Sequence, residues 1–274
     1  MSTSQTSILV PIDSTDQTIH ALQASYHLAR LTNSKIVLFS IDEGDGVSTQ
    51  KRIEALAKEA SDKLGTQVEI IVAKGNIGTE LKKVADVLHP AYIVLGLSPK
   101  VSKGNNIIGR NIYSALREIR NPVITITEQK FMDSVKTILL PLDLSKESRE
   151  KVYQAIEMAK FYDAEIRIAS ILTSTDEEFE NRMLSYSNQA WKLIKAEEVR
   201  CKLKTLRGKN APKMVLDYAH EVGADLIMIM RQEELGFKDM FAGICDAERI
   251  MGDSDIPVLS YHPIQRRDTS VFIK

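Results

Sequence analysis

Short apolar runs alternate with amphipathic segments along most of the chain. The runs "ILVPI" (residues 8–12) and "ILLPL" (residues 138–142) contain no polar side chain, which is typical of parallel strands buried on both faces. Each run is followed by a segment in which apolar residues recur every three or four positions, as on the buried face of a helix. These positions are Leu22, Tyr26 and Ala29 after the first run, and Val152, Ile156 and Ala159 after the second. The pattern predicts a strand followed by a helix in both places.

The chain contains this arrangement twice. Residues 8–41 align with residues 138–171 without a gap at an offset of 130, and the offset becomes 134 further on. Corresponding residues are Pro11 and Pro141, Asp13 and Asp143, Gly96 and Met230, and Gly109 and Gly243. Such self-similarity indicates duplication of a whole domain. We therefore predict one domain at residues 1–128 and a second at residues 136–274, joined by a short connector.

Each copy continues as alternating strands and helices. The further predicted strands are 35–41, 67–72, 92–95 and "NPVITIT" in the first copy, and 165–171, 201–206, 226–230 and "IPVLSY" in the second. The further predicted helices are 47–64, 79–87 and 111–119, and then 176–199, 212–222 and 245–251. With right-handed crossovers, this order gives an α/β fold made of two doubly wound, five-stranded parallel-sheet domains.

Composition and charge narrow the range of partners. The net charge of −1 over 274 residues gives no electrostatic reason to expect a nucleic acid or an anionic membrane. The first residues lack the cationic start and apolar core of a signal peptide, and no apolar run is long enough to span a bilayer. The two cysteines, Cys201 and Cys245, are far apart and are not in a paired motif, which suits a reducing cytosol. We expect a cytoplasmic protein.

A candidate ligand site lies where the direction of winding reverses. In open parallel sheets, ligands bind beyond the carboxyl ends of the strands at this point. If the first and fourth strands flank it, Asp13 and Gly96 face each other across a crevice. The segment "IVLGLSPKVSKGNNIIGRN" (residues 93–111) carries Lys100, Lys103 and Arg110, with no acid between Gly96 and Arg110. These cations and the backbone N–H groups near Gly109 can hold an anion.

Several segments resemble the universal stress proteins of the UspA type, arranged in tandem over nearly the full length of the chain. They are the "VPID" strand end, the "AYIVLG" and "ADLIMIM" fourth strands, and the "NPV" and "IPV" fifth strands. The resemblance implies a Rossmann-like fold related to the adenine nucleotide alpha hydrolases. ATP-binding members of the family carry Gly, two residues, Gly, nine residues, Gly, then Ser or Thr. In the first copy these four positions hold Gly96, Pro99, Gly109 and Arg110, and in the second copy Met230, Glu233, Gly243 and Ile244.

This comparison predicts a partial nucleotide pocket in the first copy and a degenerate one in the second. Pro99 has no N–H and Arg110 has no hydroxyl, so the first copy lacks two of the four motif features. The predicted nucleotide-binding residues, for ATP in domain 1 only, are Pro11, Ile12, Asp13, Leu95, Gly96, Gly109, Arg110 and Asn111. The second loop has a net negative charge, which repels a triphosphate. Its charged residues are Glu233, Glu234 and Asp239 against Arg231 and Lys238.

Simpler interpretations stay open for most of these residues. Asp13 is either a ligand contact or the N-cap of the helix that follows, and for Asp143 we favour the N-cap. The basic loop is either an anion site or a solvated segment. None of the five histidines forms a metal-binding pair, and no metal site is predicted. No catalytic constellation appears either, so we expect at most weak ATP hydrolysis.

The leading functional hypothesis is a cytoplasmic stress-response protein that binds a partner or a small ligand. The alternative is an ATP-binding switch with the nucleotide held by domain 1, and a third hypothesis is an enzyme of the related adenine-nucleotide hydrolases. The resemblance implies that the two domains pair within the chain through their fifth strands. A homo-oligomer and an unknown protein partner are further expectations.

Overall fold

The computed structural model describes residues 5–13, 15–42, 44, 46–97, 112, 115–127, 132, 134–144, 147–231 and 247–262. We call the residues up to 127 the first half and those from 134 onward the second half. The strands are β1 Ser7–Pro11, β2 Lys35–Ile41, β3 Glu69–Ala73, β4 Tyr92–Gly96 and β5 Val123–Ile126, then β6 Thr137–Leu142, β7 Glu165–Leu172, β8 Cys201–Arg207, β9 Leu226–Met230 and β10 Val258–Tyr261. The helices are α1 Asp16–Thr32, α2 Gly46–Leu64 and α3 Ile77–Leu88, then α4 Glu147–Tyr162, α5 Glu177–Ala196, α6 Ala211–Glu221 and α7 Ala247–Asp253. Residues 115–118 are also helical.

The strands form one ten-stranded sheet in the order β3-β2-β1-β4-β5-β10-β9-β6-β7-β8. Within each half all neighbouring strands are parallel, and the first and fourth strands of each half are adjacent. The fold class predicted from the sequence is confirmed: each half is a doubly wound, five-stranded parallel sheet. β5 and β10 pair antiparallel, with Leu259 opposite Ile124 at the centre of the register.

The two faces of the sheet carry separate apolar cores. On one face α1, α2, α4 and α5 pack over side chains such as Ile8 and Ile138. On the other face α3, α6, α7 and the helical residues near 116 pack over side chains such as Leu9 and Leu139. Each core contains residues of both halves, so burial of apolar area is continuous across the β5–β10 pair. None of the described helices is both long and apolar enough to cross a membrane.

Helix-capping side chains move several element boundaries from their predicted positions. α3 was expected from residue 79 but begins at Ile77, because the side chain of Asn76 accepts hydrogen bonds from the N–H groups of Gly78 and Thr79. α6 begins one residue early in the same way, with Asn210 as its N-cap. α5 ends at Ala196 rather than at residue 199, and β3 lies two residues later at its start than predicted.

Candidate functional site

The sheet opens between β1 and β4 at the carboxyl ends of these strands. β1 pairs with β2 along all five of its residues, but its register with β4 covers only Ile8 and Leu9. The N–H of Ile12 donates to Phe39 O of β2 at 2.7 Å, so the preceding residue, Pro11, faces β4. Since proline has no N–H, it cannot continue the ladder to β4. A crevice therefore opens at the point where the winding reverses.

Asp13 lies at the rim of this crevice and is not the N-cap of α1. The N-cap is Thr15, which makes no side-chain capping bond. Instead Asp13 Oδ1 accepts from the N–H of Thr15 at 2.7 Å and from its hydroxyl at 2.5 Å, and Thr18 Oγ1 lies 3.2 Å away. These contacts fix the turn before α1 through one oxygen. No hydrogen bond to the other carboxylate oxygen is found among the described residues, and Asp13 is half-buried.

Gly96, the last residue of β4, lies directly against the first turn of α1. A Cβ atom at this position would come within 2.6 Å of the backbone nitrogen of Thr18 and even closer to the carbonyl group of Gln17. Only glycine permits this approach. The close packing brings the start of α1, the Asp13 turn and the end of β4 together, so Asp13 and Gly96 lie near each other.

Of the other residues predicted to contact a ligand, three have buried side chains and three lie outside the described residues. Pro11, Ile12 and Leu95 have buried side chains that belong to the core, so only their backbone atoms can face a ligand. The backbone of Ile12 is also engaged with β2, because its carbonyl accepts from Ser40 Oγ at 2.9 Å. Gly109, Arg110 and Asn111 lie outside the described residues, together with Pro99, Lys100 and Lys103.

Asp42 is a second acid at the carboxyl edge of the sheet in the first half, on the side of β1 away from β4, and the sequence analysis overlooked it. It follows β2, and its carboxylate accepts from the N–H of Gly44 at 3.0 Å and lies 3.6 Å from Lys74 Nζ. The sequence carried a signal, because "ID" stands at the carboxyl end of both β1 and β2, which are neighbours in the sheet. Of these two acids, Asp13 lies beside the crevice, and its carboxylate suits the hydroxyl or amino groups of a ligand.

The corresponding crevice of the second half contains a buried lysine side chain. Pro141 again interrupts the ladder, and β6 pairs with β9 only at Ile138 and Leu139. However, Lys151 of α4 is buried, and its ammonium group donates to the carbonyl of Pro141. Thr137 O accepts from the N–H of Asp225, the residue before β9. Every second residue of β6 faces the same neighbouring strand, so Pro141, like Thr137, faces β9. The ammonium group of Lys151 thus lies in the opening between these strands.

The two crevices also differ at Met230 and Asp143. Met230 stands where the first half has Gly96, so a side chain now occupies the place where α1 touches β4 in the first half. Asp143 lies four residues before the start of α4, too far away to be the N-cap that we favoured. The other loop residues that we compared, from Glu233 to Ile244, lie outside the described residues.

Arg231 was assigned to the charge of the second loop, and this interpretation was wrong. Its side chain is 4% exposed and points into the first half of the molecule. Nη1 donates to Leu116 O at 2.7 Å and Nη2 donates to Asn121 O at 2.6 Å. Arg231 therefore adds no positive charge to an anion site at the second crevice. In the part of the chain that the structure describes, no group of three or more His, Cys, Asp or Glu residues could hold a metal ion.

The fold is that of a doubly wound α/β protein with a crevice at the switch point of each half. Residues 134–262 match the sequence model of the universal stress protein family, so the second half is a domain of this family. The match falls on the half that departs more from the nucleotide motif, and it is therefore independent of that motif. No curated protein matches the chain significantly.

Solved structures support the fold over nearly the whole chain. A universal stress protein from Archaeoglobus fulgidus DSM 4304 has a TM-score of 0.75 and 16% identity, covering 95% of this chain and 99% of that one. A putative universal stress protein from Pseudomonas aeruginosa UCBPP-PA14 has a TM-score of 0.69 and 17% identity, covering 95% and 94%. A functionally unknown protein from Pseudomonas aeruginosa PAO1 has the same score and identity and covers 95% and 93%. At these identities the likeness shows the fold alone.

Proposed function

We propose that this chain is a stress-response binding protein that holds a nucleotide in the crevice of its first half only. The observation that carries the proposal is the difference between the two crevices. The first has a close approach of α1 to Gly96 and an acid at the rim. The second keeps an acid at the position corresponding to Asp13, but it has Met230 in place of Gly96 and the buried Lys151 in place of Ala21. In this proposal the second half serves as a structural partner.

The chemistry of the first crevice suits the nucleoside part of such a ligand. The carboxylate oxygen of Asp13 that has no hydrogen bond among the described residues can accept one from a ribose hydroxyl or an adenine amino group. A bond of this kind to a charged group contributes about 1.5–3 kcal/mol. The phosphates would be bound by the cations between residues 96 and 110, whose sequence contains no acid. No catalytic group is assigned, because binding alone accounts for these features.

The second crevice is unsuited to the same ligand. The ammonium group of Lys151 already donates to the carbonyl oxygen of Pro141, so the aliphatic part of its side chain lies beside β6. The corresponding residue in the first half is Ala21, which has no ammonium group to bind the carbonyl of Pro11. A nucleotide in the second half would have to displace a buried charge from its hydrogen bond, which is costly.

The test is an ATP titration, followed by calorimetry, of the wild-type protein and two matched variants. Asp13→Asn keeps an oxygen for the Thr15 turn but replaces the free acceptor with an NH₂ donor. We expect it to weaken ATP binding about tenfold or more. Asp143→Asn makes the same change at the corresponding residue of the second half and should leave the affinity unchanged. No ATP binding by the wild-type protein, or equal effects of the two variants, would contradict the proposal.

The second candidate function is an ATP-dependent switch, favoured by the three cations of the first loop. In that case Arg110 replaces the missing hydroxyl as a phosphate ligand. Arg110→Ala should then abolish the stabilisation by ATP in a thermal shift assay while AMP still binds. Equal loss of AMP and ATP binding would argue against a phosphate contact by Arg110. The cytoplasmic location and the protein partner stay predictions.

A further inference from the structure

Arg231 is a buried charge that crosses from one half of the molecule to the other. It follows β9 of the second half, and its own N–H donates to Tyr261 O of β10 at 2.7 Å. Its two terminal nitrogens donate to carbonyl groups of the first half, Leu116 O and Asn121 O. The Nε atom has no hydrogen-bond partner among the described residues. Burial lowers the pKa of this guanidinium group to about 10, which shows how strongly the site disfavours the charge.

The first half shows that the fold does not need a charge at this position. The residue that corresponds to Arg231 is Leu97, which is fully buried in the apolar core. Its N–H donates to Ile126 O of β5, just as that of Arg231 donates to β10, so the backbone positions are equivalent. Since leucine fills this place in one half, arginine in the other half is not explained by packing. Replacing buried charges with apolar residues is often neutral or stabilising.

The two carbonyl groups that Arg231 binds belong to one short segment of the first half, five residues apart. Leu116 is in the helical residues 115–118, and Asn121 precedes β5. Residues 112–121 connect the predicted phosphate loop, which they follow in the sequence, to β5. The segment has other ties, since Asn121 Nδ2 donates to Pro90 O at 2.8 Å and Arg117 bonds to Glu248 at 2.6 Å. Arg231 holds Leu116 and Asn121 together from the buried side.

We propose that Arg231 is a positioning residue through which the second half fixes residues 115–121 of the first half, and with them the ligand crevice of that half. The part that concerns the ligand rests on the proposed nucleotide binding. The guanidinium group suits this role because its planar fork donates to two carbonyl oxygens in a fixed relative position. A carbonyl partner at the end of a helical turn is also favourable for a cation.

The matched control for this contact is Thr127, a residue of the first half whose side chain donates to a carbonyl group of the second half. Thr127 Oγ1 of the first half donates to Ser254 O of the second half and is buried. Thr127→Val removes this hydrogen bond between the halves without removing either contact of Arg231 with residues 115–121. Arg231→Leu reproduces the residue found at position 97. Arg231→Gln keeps one NH₂ donor and is the second variant should the leucine variant fail to fold.

Hydrogen exchange of the four proteins, without ligand, tests the positioning directly. We expect Arg231→Leu to speed exchange in residues 115–121 at least about tenfold, Arg231→Gln to have an intermediate effect, and Thr127→Val to act on residues 250–256 instead. Unchanged exchange in residues 115–121 of both Arg231 variants would overturn the proposal. This arm does not depend on nucleotide binding.

ATP titration below the unfolding temperature tests the consequence for the crevice. Arg231→Leu should weaken ATP binding at least about fivefold, with partial recovery in Arg231→Gln and no change in Thr127→Val. If wild-type protein binds ATP and the two Arg231 variants bind it equally well, the link to the crevice is refuted. If wild-type protein binds no ATP, the proposed function fails, while the exchange experiment still decides whether Arg231 positions the segment.

Discussion

Substitution of Gly96 by alanine is expected to force α1 away from the sheet. The added Cβ atom would lie 2.6 Å from the backbone nitrogen of Thr18, whereas ordinary contacts begin at 3.4 Å. The start of α1 or the end of β4 must therefore shift by at least 3.4 − 2.6 = 0.8 Å. The obstacle is helix backbone, which cannot rotate aside like a side chain, so the cost lies at or above the upper end of the usual range for overpacking, about 3 kcal/mol.

The measurement is urea unfolding followed by circular dichroism. With a slope of about 2 kcal/mol per molar urea, a loss of about 3 kcal/mol lowers the midpoint by about 1.5 M. Gly208→Ala is the control, because the three atoms nearest to the new Cβ atom all belong to the side chain of Met214, with the sulfur at 2.7 Å, and this side chain can move. We expect its midpoint to change by less than about 0.5 M. A Gly96→Ala variant as stable as the control would refute the reasoning from close packing.

Two further predictions concern buried groups of the second half. Lys151→Ala should lower the free energy of unfolding by about 2–3 kcal/mol. Propylammonium, which replaces the deleted atoms, should raise the Tm of this variant but not of the wild-type protein. An equal effect of the neutral isostere 1-propanol would count against the ammonium contact with Pro141. Burial raises the pKa of Tyr261 above its ordinary value, and that of Tyr92 as well. Because the folded state then keeps protons that the unfolded state loses above about pH 10, stability should fall as the pH rises beyond 10, by up to ~1.4 kcal/mol per pH unit per tyrosine. Tyr261→Phe should lessen this fall in urea midpoints measured from pH 9 to 11, and an unchanged slope would contradict it.

The fold could be predicted because its main features are local patterns that occur twice. Continuous apolar runs such as residues 8–12 indicate parallel strands covered on both faces, and the constant offset to residues 138–142 shows that the same unit is repeated. Helix boundaries were less accurate, because apolar spacing locates the buried face and not the first turn. The caps Asn76 and Asn210 set those turns through side-chain hydrogen bonds.

The placement of the candidate site residues could be predicted only where topology determines it. Asp13 follows β1 and Gly96 ends β4, and these strands flank the point where winding reverses, so topology alone brings the two residues near each other. Arg231 was missed because an arginine after a strand is usually solvated, although its correspondence to Leu97 was available and marks a buried position. Lys151 was missed because nothing in a helical pattern shows that a long side chain will reach back to the end of the preceding strand.

The antiparallel pairing of β5 with β10 relates the two halves by an approximate twofold axis near Ile124 and Leu259. In a dimer of identical subunits, every contact across such an axis occurs twice, so a substitution on one side always appears on the other. A single chain has no such constraint. It can place arginine at position 231 and leucine at position 97, and so carry one costly buried cation where a symmetrical assembly would need two or none.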